Sequence, residues 1–163
     1  MRSILTIICL LILFSSCNRN TFYIVRHAEK ATAAPNMSSD VPLSEAGEKR
    51  AIALKELLKE KDVRYIFSTQ TIRTTSTAKP LSELKSVPVQ LYSPRDTTDK
   101  FIMRLKSIRK GSVLIVGHSN TVDDVVNKMM GQTLLSDLAE TEYDNLFIVK
   151  RKGKKYFFER EKY

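Results

Sequence analysis

Residues 22–27 read "FYIVRH", and residues 113–118 read "VLIVGH". Each stretch joins four consecutive apolar residues to one further residue and then to a histidine. Apolar runs without polar alternation are typical of strands that are covered on both faces of a sheet. The pattern therefore predicts two buried strands, at 21–25 and 113–116, each followed closely by a histidine.

Strands and helices alternate along the rest of the chain. The further predicted strands are 63–68, 87–92 and a terminal hairpin around Gly153, and the predicted helices are 43–61, 71–84, 97–110 and 121–131. Parallel neighbouring strands need crossover helices between them. The expected fold class is therefore α/β, a three-layer sandwich with a mainly parallel central sheet flanked by helices.

Individual residues suggest where these elements begin and end. Ser44 is expected to cap the first helix, and Pro80 to end or bend the second. Pro88 favours an edge position for its strand, and Gly131 is expected to end the last helix. The expected apolar stripe of the first helix consists of Ala51, Leu54, Leu57 and Leu58.

The first 17 residues differ from the remainder of this 163-residue chain, which has the length of one domain. They comprise one arginine, an apolar run over 4–14 and small residues before Cys17, which is the layout of an export signal. The ending "LFSSC" resembles a bacterial lipoprotein signal. That resemblance implies an export signal at 1–16, a mature domain at 17–163 and a lipid on Cys17 that holds the protein at a membrane, facing the periplasm or the exterior. A secretory signal cut nearby, or a retained anchor, is the alternative.

The cysteine content limits the chemistry of the mature domain. Cys9 lies inside the apolar run and would be removed with it. The mature domain then has no disulfide, and no thiolate is available for catalysis or for a metal site.

The net charge of +9 is concentrated near the C-terminus, where residues 150–162 read "KRKGKKYFFEREK". A solvated hairpin whose lysines protect a sheet edge is the first interpretation. Attraction to anionic lipid headgroups is the second, and nucleic-acid binding, for which no motif is present, is the third.

The two histidines of the chain, His27 and His118, follow strands in equivalent positions. Ligands of parallel sheets bind beyond the carboxyl ends of the strands, where Arg26 and Arg73 are also expected. Two guanidinium groups and two imidazoles favour a small anion such as phosphate. Metal binding is the rival use of paired histidines, but the guanidinium groups would repel a cation and no HxxxH or cysteine cluster is present.

Four segments carry a resemblance to a known family, and they occur in the family's order. They are "RHAEK" at 26–30, "LSEAGEKRA" at 43–51, "STQTIRTTSTA" at 68–78 and "GHSN" at 117–120. Together they resemble the landmarks of the histidine phosphatase superfamily, which includes the cofactor-dependent phosphoglycerate mutases. The resemblance implies a phosphoglycerate mutase-like fold.

The resemblance also implies roles for individual residues. His27 would be the nucleophile that takes the phosphoryl group, with Arg26, Arg73 and His118 holding its oxygens. No metal or other cofactor would be required. The family's usual glycine after the first histidine is replaced by Ala28, and Ala33 stands near the position of a phosphate-contacting asparagine.

Two further positions are candidates for contacts with the substrate, and one nearby residue needs explanation. Lys30 could supply the contact that the missing asparagine makes. Ser119 stands where the phytase-like branch of the family has an aspartate, which argues against that branch. Glu29 is expected to pair with Arg26 or Lys30, or else to orient a catalytic group.

Protonation of the leaving group needs an acid, which in the family usually precedes the last site strand. Asp96 is the predicted acid, although it could equally cap the following helix or pair with Arg95. Glu83 and Glu29 are the alternatives. Glu83 follows Pro80 in a helix tail, where a solvated side chain is expected.

The sequence thus favours a small exported phosphohydrolase that acts on phosphorylated substrates through His27. A phosphohistidine phosphatase is the alternative within enzymes, and a non-catalytic anion-binding surface lipoprotein is the alternative from another class. Mutase activity is less favoured, because it needs elements that a short chain lacks.

Overall fold

The structure, a computed structural model, describes residues 19–32, 40–93 and 99–163. The strands found there are β1 (Arg19–Arg26), β2 (Val63–Ser68), β3 (Val89–Leu91), β4 (Ser112–Gly117), β5 (Asn145–Lys152) and β6 (Lys155–Lys162). The helices are α1 (Glu45–Leu58), α2 (Ile72–Lys85), α3 (Asp99–Ser107) and α4 (Val122–Met130). The predicted export signal and Cys17 lie outside the described residues.

All six of these strands form one sheet in the order β3-β2-β4-β1-β5-β6. Strands β3, β2, β4 and β1 are parallel, whereas β5 and β6 add an antiparallel hairpin beside β1. In the central pair, Tyr23 of β1 lies opposite Leu114 of β4, and Arg26 lies opposite Gly117. The two "IV" runs therefore lie side by side and end at the same edge of the sheet.

Helices cover both faces of the sheet, which explains why the central strands are apolar on both sides. Phe22 and Ile24 pack with residues of α3 and α4, including Phe101 and Val125. On the opposite face, the side chains of β1 pack with α1 and α2, where Leu54 is fully buried. The predicted three-layer α/β sandwich is confirmed.

One detail of the predicted helices is wrong, and another is narrowed. Leu57 was placed in the buried stripe of α1, but it is 40% exposed, while Ala51, Leu54 and Leu58 are buried. Pro80 does not end α2, which continues to Lys85, so of the expected end or bend only the bend stays a prediction. A proline inside a helix is destabilising, and core contacts of α2 on both sides of Pro80 offset this effect.

Other boundaries follow the local chemistry of the sequence. The Ser44 hydroxyl accepts a hydrogen bond from the Gly47 N–H at 3.2 Å and so caps α1. Gly131 ends α4 with φ of +71°, a conformation in which glycine has no steric penalty. Strands β3 and β6 are the two edges of the sheet, and β6 carries the exposed basic residues that the first interpretation of the charge places there. No helix in the described ranges has both the length and the hydropathy to cross a bilayer.

Candidate active site

The two histidines meet because β1 and β4 are adjacent and parallel. The His27 N–H donates a hydrogen bond to the Gly117 carbonyl at 2.9 Å, which joins the ends of the two strands. The imidazole rings of His27 and His118 lie with their centroids 5.5 Å apart and their planes at 68°. The predicted pairing of histidines at neighbouring strand ends is therefore what the fold produces.

Gly117 permits the tight turn that carries His118 over the end of β4. A Cβ atom at this position would lie 2.7 Å from the Thr121 hydroxyl and 2.8 Å from the Tyr92 hydroxyl, well inside van der Waals contact. The Thr121 hydroxyl in turn accepts a hydrogen bond from the His118 N–H at 2.8 Å. The absence of a side chain at 117 thus lets the turn fold back and fix the backbone of His118.

Arg73 reaches the same edge from the first turn of α2. The Thr77 hydroxyl accepts a hydrogen bond from the Ala28 N–H at 2.9 Å and donates one to the Arg73 carbonyl at 2.7 Å. This single hydroxyl ties the backbone after His27 to the helix that bears Arg73. A carboxylate oxygen of Asp40 lies 3.6 Å from the Arg73 guanidinium and also accepts from the Ile72 N–H.

Arg26 is buried beside the histidines and is held by the segment before β5. Its Nη1 donates to the carbonyls of Ala139 and Glu142, at 2.8 and 3.4 Å, and its Nη2 donates to the Glu140 carboxylate at 3.3 Å. The guanidinium lies 4.2 Å from the centroid of the Tyr143 ring, a cation–π distance. Within the described chain, the Arg26 Nε is buried and has no hydrogen-bond partner.

These groups line one open cleft of about 590 Å³ at the carboxyl edge of the sheet. The predicted site residues in its wall are Arg26, His27, Lys30, Arg73, His118 and Ser119. The wall also contains Asn120, Thr121, Asp124 and Glu140, which were not predicted. No group of three or more potential metal-binding side chains occurs among the described residues.

His27 is held in one tautomer by the backbone. Its Nδ1 lies 2.7 Å from the carbonyl oxygen of Ala28, which can only accept a hydrogen bond. The proton must therefore be on Nδ1, and the lone pair is on Nε2. Burial, opposed by the Ala28 hydrogen bond and assisted by Arg26, lowers the pKa of His27 from 6.5 to about 3. The ring is neutral, and thus nucleophilic, at neutral pH.

His118 is held by a residue that follows β2, the strand on the other side of β4 from β1. Its Nε2 lies 2.9 Å from the hydroxyl of Thr69, which follows β2, and that hydroxyl donates on to Thr74. His118 Nε2 is then the donor to Thr69. Burial, followed by the charges of Arg73 and Arg26, lowers the pKa of His118 to about 4.

The two depressed pKa values predict acid destabilisation. The unfolded chain binds protons at the histidines near pH 6.5, whereas folded His27 does so only near pH 3. Unfolding therefore takes up protons, and the free energy of unfolding falls as the pH falls from 6.5, by up to about 1.4 kcal/mol per pH unit for each histidine. Urea unfolding measured across this range should show a flatter pH dependence for His27→Gln/His118→Gln than for the wild type. Parallel curves would contradict the assignment.

Glu140 places a carboxylate where a phosphate would approach. It is 73% exposed and lies 3.8 Å from the Lys30 ammonium as well as 3.3 Å from Arg26. Its segment, "SDLAETEYDN", carries no recognisable motif, and its contacts with Arg26 span 114 residues. Nothing in the sequence could have indicated that this acid, or the neighbouring Tyr143, belongs to the site.

Removing the Glu140 charge should strengthen phosphate binding. We expect Glu140→Gln to lower the inhibition constant for inorganic phosphate by about twofold to fivefold, because the exposed Glu140 carboxylate contributes about 0.5–1 kcal/mol in its ion pairs. Glu45→Gln, an exposed change on α1, is the matched control and should leave the constant unchanged. If Glu140→Gln instead slows alkyl phosphates selectively, Glu140 is the proton donor and not a competitor of phosphate.

The structure argues against two of the three candidate acids, Glu83 and Glu29. Glu83 lies outside the cleft, exposed on α2 and 3.8 Å from Lys79. Glu29 is paired, but the expected partners were wrong, because Arg50 holds it with contacts of 2.6 and 2.9 Å. These hydrogen bonds lower the pKa of Glu29, so it is a poor proton donor. Asp96 lies outside the described residues, and its role stays a prediction.

Part of the chain that forms this cleft is similar to a known family. The model of the histidine phosphatase superfamily, branch 1, matches residues 22–94, which include His27 and Arg73. Over these residues the chain is similar to the histidine phosphatase superfamily, branch 1. The match ends before β4 and so does not include His118, which lies beside His27. No protein of curated function matches the sequence.

Several solved structures share the fold at low sequence identity. One named phosphohistidine phosphatase SixA, from Agrobacterium tumefaciens, is 21% identical with a TM-score of 0.64, covering 86% of this chain and 97% of that one. A mycobacterial glucosyl-3-phosphoglycerate phosphatase is 12% identical with a TM-score of 0.66, covering 88% and 97%. An Escherichia coli protein named for α-ribazole-5'-phosphate phosphatase activity is 14% identical with a TM-score of 0.66, covering 88% and 96%.

Proposed function

We propose that this chain is a metal-independent phosphatase that hydrolyses phosphate monoesters through a phosphohistidine on His27. The observation that carries the proposal is the hydrogen bond from His27 Nδ1 to the Ala28 carbonyl. It leaves the Nε2 lone pair on a neutral ring in a cleft that also contains two arginines and a second histidine. Fixed donors around a neutral nucleophile are what phosphoryl transfer requires.

The first step forms a bond from His27 Nε2 to phosphorus and breaks the bond from phosphorus to the leaving oxygen. The leaving oxygen takes a proton from an acid, for which Asp96 is our candidate. Arg26 and Arg73 stabilise the charge on the phosphoryl oxygens, and His118 joins them as an imidazolium when the phosphate dianion draws a proton onto its Nδ1. In the second step, water attacks phosphorus, the nitrogen–phosphorus bond breaks, and the proton of the water returns to the acid. Splitting the displacement in this way lowers each barrier.

The similarity to the histidine phosphatase superfamily supports the reaction class more strongly than any particular substrate. A phosphohistidine phosphatase is the second candidate, because the protein named SixA has the same fold. The two candidates differ in their leaving group, which is an imidazole in one case and an alkoxide or phenoxide in the other. Comparing a phosphohistidine peptide with alkyl and aryl phosphates distinguishes them.

The full chain in detergent micelles should hydrolyse nitrophenyl phosphate in the presence of a chelator. Activity that disappears with chelator and returns with a divalent cation would overturn the metal-independent mechanism. Asp96→Asn should slow alkyl phosphates far more than nitrophenyl phosphate, since a nitrophenolate needs little protonation. Equal slowing of both substrates would remove Asp96 as the acid.

We also propose that the protein is exported and held at a membrane by a lipid on Cys17. The support is the apolar run at 4–14 followed by small residues and a cysteine. Cys17→Ser should give an unprocessed chain without the mass of the lipid. An unchanged processed mass, with unchanged partition into membranes, would contradict the proposal.

A further inference from the structure

The end of the sheet opposite the cleft, where β1 begins, carries a cluster of cations. Strand β1 begins at Arg19, which pairs with Lys152 of β5, and Lys152 pairs with Lys155 of β6 across the turn at Gly153. The turn therefore lies beside the first described residue of the chain. We call the six exposed cations at this edge the basic edge: Arg19, Arg109, Lys110, Lys152, Lys154 and Lys155.

Arg109 and Lys110 belong to the basic edge because the loop before β4 is fixed beside β1. The Asn20 side-chain amide donates to the Gly111 carbonyl at 2.8 Å. The buried Arg151 guanidinium donates to the carbonyls of Lys106, at 2.8 Å, and of Ile108. These bonds connect β1 and β5 to the loop before β4. Arg109 and Lys110 therefore lie at the same end of β4, β1 and β5 as the cations of the hairpin.

No described carboxylate neutralises the basic edge. None of its six members forms an ion pair within the described residues, and residues 145–158 contain no aspartate or glutamate. The nearest acid along β6, Glu159, is already paired with Lys150. Phe157 lies on β6 between Lys155 and Glu159, and it is 48% exposed. Unneutralised cations beside an exposed aromatic ring suit the headgroup region of an anionic bilayer.

We infer that the basic edge lies against an anionic membrane surface and turns the catalytic cleft away from it. The inference rests on the proposed membrane attachment and not on the phosphatase activity. Cys17, the residue proposed to carry the lipid, lies two positions before Arg19 in the sequence, and Arg19 belongs to the basic edge. His27 follows the other end of β1, where Arg26 is seven residue steps, or about 23 Å, from Arg19.

The location of the attachment decides between a membrane and a nucleic acid as the partner. A lipid-attached chain brings Arg19 close to headgroups, so the neighbouring lysines are held within a Debye length of them. Nucleic acid would need a second recognition element beside the charge, and the hairpin offers no further donor pattern. The basic edge is therefore assigned to the lipid surface.

A single introduced tryptophan tests the orientation, because the chain contains none. The full chain carrying Phe157→Trp is reconstituted in phosphatidylcholine vesicles, with and without phosphatidylglycerol, that contain brominated lipid as a quencher. Ile72→Trp, an exposed position at the start of α2 on the cleft edge, reports the opposite end. We expect quenching at 157 that increases with phosphatidylglycerol, and little quenching at 72 in either lipid.

Charge reversal separates this result from mere attachment. In the Phe157→Trp background, Lys154→Glu/Lys155→Glu should remove about half or more of the quenching that phosphatidylglycerol induces. Lys49→Glu/Lys79→Glu changes the net charge equally on the α1 and α2 surface and should remove little of it. Equal loss in both variants would show a general effect of net charge and overturn the inference.

The remaining outcomes distinguish attachment from orientation. Release of the chain from vesicles by a high-salt wash overturns the membrane attachment, and the inference with it. Retention with equal quenching at 157 and 72 overturns the orientation alone. A change in the fluorescence at 157 with duplex DNA as large as that with phosphatidylglycerol overturns the assignment to lipid.

Discussion

Replacing His27 with alanine should lower kcat/KM for nitrophenyl phosphate by about 10³-fold or more, since the covalent route depends on one nitrogen atom. The remaining arginines still bind phosphate, so the inhibition constant for inorganic phosphate should change much less than the rate. In the wild type, a rapid alkaline quench during turnover should yield a phosphorylated peptide that contains residue 27. The peptide should be absent from His27→Ala.

The control for this experiment is the second histidine of the same cleft. His118→Ala should reduce the rate but retain a detectable phosphorylated His27, because His118 is assigned to the phosphoryl oxygens. Circular dichroism and urea unfolding confirm that each variant is folded. Phosphorylation at residue 118, or turnover that survives His27→Ala, would exclude the proposed nucleophile.

Arg73→Gln should cost about 10²- to 10³-fold in kcat/KM, the range seen when one donor to a developing oxyanion is removed. Arg73 is suited to this test because it lies on the wall of the cleft and its helix is held independently by Thr77. The substitution removes the guanidinium and leaves the Thr77 hydrogen bonds in place. The effect should therefore be on catalysis and not on folding.

Lys79→Gln is the matched control for this change. Lys79 lies on the same helix, exposed and away from the cleft, so loss of its charge should alter kcat/KM by less than about twofold. Arg73→Lys keeps the charge but not the planar pair of donors, and should fall between the wild type and Arg73→Gln. Similar losses in Arg73→Gln and Lys79→Gln would mean that the effect comes from net charge and not from contact with phosphate.

The layers of the fold could be predicted because its core strands and helices are encoded locally. Runs such as "VLIV" indicate burial on both faces, and the alternation with helices then requires crossovers. The errors occurred where tertiary contacts override local preference. Pro80 is tolerated inside α2, and Leu57 has helical spacing suitable for burial but lies beside the packed stripe of α1.

The side chains that line the cleft could be predicted for a related reason. They follow the carboxyl ends of parallel strands, so the position of each strand fixes the position of each residue. Contacts between distant loops have no such rule. The pairing of Glu29 with Arg50 and the approach of Glu140 to Arg26 depend on how loops cross the cleft. Neither contact follows from the periodicity of a helix or a strand, so no sequence pattern predicts it.

The position of β1 in the sheet has a consequence for how the protein is made. Both neighbours of β1, β4 and β5, lie more than eighty residues further along the chain. While the polypeptide is being synthesised, "FYIV" therefore has no strand to pair with until most of the domain has emerged. Contacts of this sequence separation form slowly, and an unpaired apolar strand invites association with other chains. A chain shortened before Asn145 would keep His27, Arg73 and His118 yet expose one whole side of β1, so loss of the last hairpin should cause aggregation rather than mere inactivity.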